Sequence, residues 1–232
     1  QAVSLLLEPE PDQTRLNSAP AQTLLRDWFS GIQRRTGYQG FLVLDEKFRN
    51  IASSRSATPE LTDILVSQPG FFERIRQGKG AVSRPFKSDT PLPNAQDRLE
   101  KEYSTMFVGV PIDDGSGDGF ATLLLQIDPT AHFAELLSQG SVGATGESYA
   151  IDQSGVMLSS SRFDDQLREI GLLNPGERST LNLRIANPGT NLVAGQLNML
   201  APEDRPLTLM ARQVTQGVSG SSVDAYLDYR GV

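Results

Sequence analysis

Arg84, Phe86, Lys87, Asp89, Tyr103 and Met106 bring two cations, two aromatic rings, a carboxylate and a thioether into one short stretch of chain. That is the composition of a pocket wall, in which small-molecule sites place a few convergent polar groups among apolar and aromatic side chains. The segment reads as a strand edge, then a loop, then a strand, because Pro91 and Pro93 forbid a continuous ladder between Asp89 and Asn94. Loops held by a rigid scaffold are where binding residues concentrate.

Catalytic chemistry is harder to build from this chain. His132 is the only histidine. A nucleophile-base pair would need a serine and an orienting carboxylate within reach of it, and no spacing supplies them, so His132 reads as a residue of a connecting helix. The Asp-rich stretch Asp113–Gly119 imitates a calcium loop from Asp114 through Ser116, Asp118 and Gly119, but the twelfth position is Leu125 in an apolar run, where a bidentate Glu is required. It reads as a hairpin turn. Gly78-Lys79-Gly80 lacks the phosphate-loop spacing. There is no cysteine, which removes thiolate nucleophiles, disulfides and zinc-thiolate sites together. No catalytic residue, metal ligand or cofactor site is assigned, and the expectation is a non-enzymatic protein.

The elements that would position the pocket follow from periodicity. Leu24, Leu25, Trp28, Phe29 and Ile32 form one apolar stripe, predicting a helix over 21–35 that stops at Thr36-Gly37. Strands follow at about 41–45 and 50–54. Thr58-Pro59-Glu60 opens a further helix with Leu61, Ile64 and Leu65 on its buried face, and a short helix covers about 71–77. A strand is expected near 80–86. Thr105–Ile112 and Phe120–Ile127 form a hairpin, followed by a helix over about 129–138 with Phe133, Leu136 and Leu137 inward. Past Gly143 the expected elements are strands near 148–152 and 156–161, a helix at about 164–171, and strands near 179–185 and 206–214.

A repeat organises this order. Over residues 44–55 and 151–162 four of twelve positions are identical, the Asp, two Ser and the Arg, with Asp45 and Asp152 each entered from an apolar run. We read a duplicated α+β unit. Its period is far too long for a solenoid, whose repeats run to roughly 20–50 residues. The organisation is a lead-in and helix over 1–37, a first unit over 38–128, a connecting helix over 129–142 and a second unit over 143–232. The first unit closes on the apolar strand 120–127, and the second has no counterpart before residue 232, so it reads as incomplete at its last strand.

At 232 residues with 38% hydrophobic and 21% charged residues, the chain has room for two cores. A net charge of −7 argues against a nucleic-acid surface. No run approaches the roughly 18 apolar residues of a membrane span.

Ser83-Arg84-Pro85-Phe86-Lys87-Ser88-Asp89, Thr145-Gly146-Glu147-Ser148-Tyr149-Ala150-Ile151-Asp152, Ser161-Arg162-Phe163 and Asp228-Tyr229-Arg230-Gly231-Val232 together resemble the double Cache sensor domains of bacterial receptors, from about residue 20 onward. The resemblance implies a long N-terminal helix followed by two tandem PAS-like modules, each an antiparallel sheet flanked by helices. Both would lie outside the cytoplasmic membrane, periplasmic or extracellular, joined to it by flanking transmembrane helices absent from this sequence. It further implies a small ligand in the distal module, over 38–128, and a cytoplasmic output. A sensor histidine kinase of a two-component system is the leading expectation. A cyclase, Ser/Thr kinase or chemoreceptor is the alternative, as is a protein-interaction or dimerisation module using the N-terminal helix. Amino-acid sensors of the family carry an Asp where this chain has Leu124 or a neighbour, so an organic acid or an apolar-bodied ligand fits better. Arg84 and Lys87 would suit a carboxylate. Glu147, Arg162 and Arg230 are expected to do structural work.

Overall fold

A computed structural model describes residues 18–55, 68–88, 91–93, 98–100, 102–113, 119–138, 146–197, 200–221 and 226–232. The expected helix at 58–67, most of the lead-in 1–19, Asp89, the turn residues 114–118 and the segment Gly143–Thr145 lie outside them. The fold is α+β, and the chain divides into two compact units, Gln1–Asp128 and Pro129–Val232.

In the first unit α1 spans Pro20–Thr36 and ends where Gly37 turns left-handed at φ 74°. β1 (Gly40–Asp45) and β2 (Asn50–Ser53) follow, then α2 (Pro69–Arg76), β3 (Ala81–Val82) and β4 (Phe86–Ser88). A short pair, β5 (Leu92–Pro93) and β6 (Leu99–Glu100), precedes the long hairpin β7 (Tyr103–Asp113) and β8 (Gly119–Ile127). The main sheet is antiparallel in the order β2-β1-β8-β7-β3, with β4 also on β7. The single strand expected near 80–86 is therefore two. Ser83-Arg84-Pro85 interrupts it, since Pro85 has no N–H to give a ladder.

Each sheet face carries its own core, as alternating side chains require. On one face Leu42, Leu44, Phe107 and Leu124 pack with Phe71, Phe72 and Ile75 of α2. Gly109 permits that approach, because a Cβ there would lie 2.6 Å from Ile75 Cδ1. On the other face Phe41, Val43 and Ala121 meet Ala21 and Phe29 of α1, with the Phe29 and Phe41 rings 5.0 Å apart.

The stripe expected to bury α1 splits in two. Phe29 is buried, but Leu24 and Trp28 are 60% and 57% exposed, and the fully buried partner is Gln22. The reason is the open edge of β2. Gln22 Nε2 donates to the Ile51 carbonyl at 2.9 Å, and its Oε1 accepts from the Ser53 N–H at 3.4 Å. One turn on, Arg26 Nε donates to the Ser53 carbonyl at 3.0 Å. These side chains satisfy the edge groups that another strand would otherwise pair, and burial lowers the Arg26 pKa from its ordinary value.

The second unit is built differently. It contains α3 (Pro129–Ser138), α4 (Asp164–Glu169) and α5 (Leu209–Thr215), with a core of Met157, Leu167, Leu173, Leu183, Ile185, Ala211 and Tyr229. The strands expected at 148–152, 156–161 and 179–185 are reduced among the described residues to isolated bridges, Ile151 to Met157 and Val156 to Arg184. The strand expected at 206–214 is mostly α5. Leu207 keeps only an isolated bridge to Ala186, Ala211 is the buried residue of the helix, and the Thr208 hydroxyl caps it by accepting from the Ala211 N–H at 3.2 Å. Leu136, expected inward on α3, is 68% exposed, whereas Leu137 is half-buried. The side chains of His132 and Phe133 lie outside the described residues.

Candidate functional site

Arg84 sits in the interruption between β3 and β4, and its backbone is held from two directions. Its N–H donates to Gln68 Oε1 at 2.8 Å, and its carbonyl accepts from Gln68 Nε2 at 2.9 Å and from the Ser83 hydroxyl at 3.1 Å. Gln68 is buried just ahead of α2 and acts as a one-residue strand, pairing both backbone groups that Pro85 leaves without a ladder. Ser83 is buried too, and its Oγ accepts from the Phe107 N–H at 2.8 Å. The Arg84 side chain is exposed and makes no hydrogen bond or ion pair with a described residue.

Phe86 lies opposite Thr105 across β4 and β7, half-buried, its ring stacked on Phe107 at 6.1 Å between centroids and 23° between planes. Lys87 pairs with Ser104 and is exposed, and strand alternation turns it to the opposite face from Phe86. Tyr103 is opposite Ser88. Its hydroxyl is committed, accepting from Gln39 Nε2 at 2.8 Å and donating to Asp128 Oδ2 at 3.3 Å. Gln39 also accepts from Gln126 Nε2 at 3.4 Å, giving a largely buried polar cluster at this end of the sheet.

Met106 does not belong with these residues. It neighbours Phe107 in sequence and pairs with Ile127, so it points to the α1 face of the sheet, away from the Phe86–Phe107 stack. The residue on the Phe86 side is Thr105, fully buried, with Oγ1 lacking any partner. Arg84 and Phe86 thus remain together on one sheet edge, Lys87 projects from the other side of β4, and Tyr103 serves the Gln39–Asp128 cluster. Asp89 is outside the described residues. Gln68 and Thr105 were not expected from sequence, because a lone amide or hydroxyl carries no period or motif, and the Ser83–Asp89 motif did not by itself assign Ser83 a role.

In the second unit the motif residues form a closed network. Glu147 Oε1 accepts from the Ser161 hydroxyl at 2.5 Å and from the Arg162 backbone N–H at 2.9 Å, while Oε2 accepts from the Tyr229 hydroxyl. The expected pairing of Glu147 with Arg162 runs through that backbone amide, and the Arg162 guanidinium donates to the Gly146 carbonyl at 2.7 Å. Arg230 donates to Asp228 and to Gln166 Oε1 at 2.9 Å, with its guanidinium 3.6 Å from the Phe163 ring centroid. Burial, reinforced by Glu147, holds the Tyr229 and Tyr149 hydroxyls well above the ordinary tyrosine range. These groups are satisfied by one another, so they build structure and offer a ligand little.

No family model fits the chain, and no curated protein matches it.

Proposed function

We propose that this chain is the extracytoplasmic sensor region of a bacterial transmembrane receptor, a sensor histidine kinase of the double Cache type, with two PAS-like units and a small carboxylate ligand bound at the Arg84 edge of the first. The observation that carries the ligand reading is Arg84 itself. Its backbone is fixed by Gln68 and Ser83 while its guanidinium has no partner among the described residues. A planar fork of donors suits bidentate capture of a carboxylate. The half-buried Phe86 ring beside it would cover the ligand's apolar body. The repeated Asp turn supports a tandem reading of the two units, and the resemblance of Ser83–Asp89 and of the Glu147, Arg162 and Arg230 motifs supports the receptor class.

Such a region signals only through differential affinity of the ligand for two conformations, about 5.5 kcal/mol to take a 1:99 population to 99:1. The test is calorimetric titration and thermal shift with a panel of mono- and dicarboxylates. A ligand at about 100 times its dissociation constant adds about 2.7 kcal/mol of stability. The expected result is a hit lost on Arg84→Ala. No hit from a well-folded sample would overturn the ligand reading.

A second reading has its own observation. Leu24 and Trp28 leave two large apolar side chains exposed one turn apart on α1, which suits self-association through that helix. Light scattering should then return twice the monomer mass for the native chain and the monomer mass for Trp28→Ser.

A further inference from the structure

At the far end of β7 from Phe86 and Tyr103, a groove of about 640 Å3 opens between the β1–β2 turn, the end of α2 and the β7–β8 hairpin. Phe48, Ile75 and Pro111 give it an apolar floor. Thr122 lies among them, 4% exposed, and its hydroxyl makes no side-chain hydrogen bond with any described residue. That hydroxyl is not sealed in the core, so a ligand group entering the groove can reach it.

The charges around the groove set what that group is. Glu46 and Asp113 stand exposed at its rim. The Asp45 carboxylate is taken up by Arg49 at 2.6 Å. Among the described lining residues the one cation, Arg76, lies over the Phe48 ring at 4.7 Å and 3.8 Å from Glu73. The acidic rim therefore favours cations and disfavours anions, the reverse of the Arg84 edge.

The geometry points to this groove as a binding site for a small organic cation, an ammonium on a short apolar stem. The ammonium has three N–H donors, and the Thr122 hydroxyl and the Glu46 carboxylate are among the acceptors that line the groove. The stem lies on Ile75 and Pro111. None of these residues takes part in the Arg84 site, so this site stands independently of the carboxylate reading.

Calorimetric titration with n-butylammonium chloride tests it, with sodium butyrate and n-butanol as controls. Saturable binding of butylammonium is expected, with none for butyrate. Thr122→Val keeps the shape of the strand residue and removes the hydroxyl, and Glu46→Gln removes only an exposed charge. Each should weaken binding about tenfold, and Arg84→Ala should leave it unchanged. Lack of saturation by about 20 mM, weaker than the millimolar range that corresponds to about −4.1 kcal/mol, overturns the site. So do unchanged affinity in Thr122→Val, equal binding of butyrate, or loss of binding in Arg84→Ala.

Discussion

Asp45 and Asp152, 107 positions apart, close their turns with the same four hydrogen bonds. Asp45 Oδ1 accepts from the N–H groups of Lys47 and Arg49 at 2.9 and 2.8 Å, and Asp152 Oδ1 accepts from Ser154 and Val156 at 2.8 and 2.9 Å. The Asp45 N–H donates to the Arg49 carbonyl and the Phe48 N–H to the Asp45 carbonyl, each at 2.9 Å. Asp152, Val156 and Gly155 repeat both bonds at 2.9 and 3.1 Å. Even the left-handed backbone coincides, with φ 59° at Phe48 and 81° at Gly155, and the pairing Leu44 to Asn50 recurs as Ile151 to Met157.

Replacing either Asp by Ala removes an acceptor shared by two backbone N–H groups. Each substitution should cost about 2–3 kcal/mol, the upper range for hydrogen bonds to a charged group. Urea unfolding of Asp45→Ala, followed through the single tryptophan, Trp28, reports on the first unit directly. A cost below about 0.5 kcal/mol, the size of an ordinary surface substitution, would mean that the turn does not depend on its carboxylate.

The shared left-handed position, strained at Phe48 and free of strain at Gly155, makes a second comparison possible. Gly155→Ala puts a Cβ at positive φ and 2.4 Å from Leu207 Cδ2, so it should destabilise the second unit by about 1–2 kcal/mol. Phe48→Gly relieves a similar strain in the first unit, but Phe48 is 8% exposed and packs edge-on to Phe72 at 4.7 Å. Losing a buried Phe costs about 3–5 kcal/mol, so the cavity outweighs the relieved φ. Both variants should melt lower than the native chain, and a more stable Phe48→Gly would show that its ring contributes little to the core.

What the sequence made legible, and what it did not, divides along physical lines. The Asp turns, the long hairpin and the stop at Gly37 are local, decided by a few neighbouring residues and a period. The orientation of α1 is not local. Leu24 and Trp28 fit the apolar stripe, yet Gln22 takes the buried place because it answers the open edge of β2, some thirty positions away. Met106 fell among pocket residues by proximity in sequence, although a one-residue step along a strand reverses the face. The Gln68 clamp is invisible for a similar reason: a buried amide finding a backbone across sixteen positions leaves no pattern. In the second unit, Leu207, Leu209 and Ala211 alternate like a strand, and only the Thr208 cap favours the helix that begins at Leu209.

Gln68→Ala tests whether the Arg84 edge is held as tightly as its hydrogen bonds suggest. It leaves the Arg84 N–H without its partner, at a cost of about 1–3 kcal/mol, while touching nothing that would contact a ligand directly. Under the proposed function, the carboxylate dissociation constant should rise several-fold through a faster off-rate, since a loosened guanidinium must be ordered again on binding. Stopped-flow competition separates the rates. An unchanged off-rate in a destabilised variant would mean that Gln68 supports the fold without positioning Arg84.

Tyr229 predicts a pH dependence with a definite sign. In the folded chain its hydroxyl is held above the free value of 10.0, first by burial and then by Glu147, to which it donates. Below the free value the tyrosine is neutral in both folded and unfolded chains, and the stabilisation is fully present. As pH rises beyond it, the unfolded chain ionises first, so stability falls until the folded tyrosine can ionise too. Each such group steepens the loss by about 1.4 kcal/mol per pH unit. Tyr149, its edge-on neighbour at 5.9 Å, is shifted in the same direction. Unfolding of the second unit should therefore be level between about pH 8 and 9.5 and should weaken above about pH 10, where free tyrosine ionises. Tyr229→Phe takes a donor from Glu147, so it should begin less stable yet decline less steeply with pH. Parallel declines in the two proteins, measured by thermal unfolding across that range, would show that ionisation of Tyr229 is not what loosens the unit.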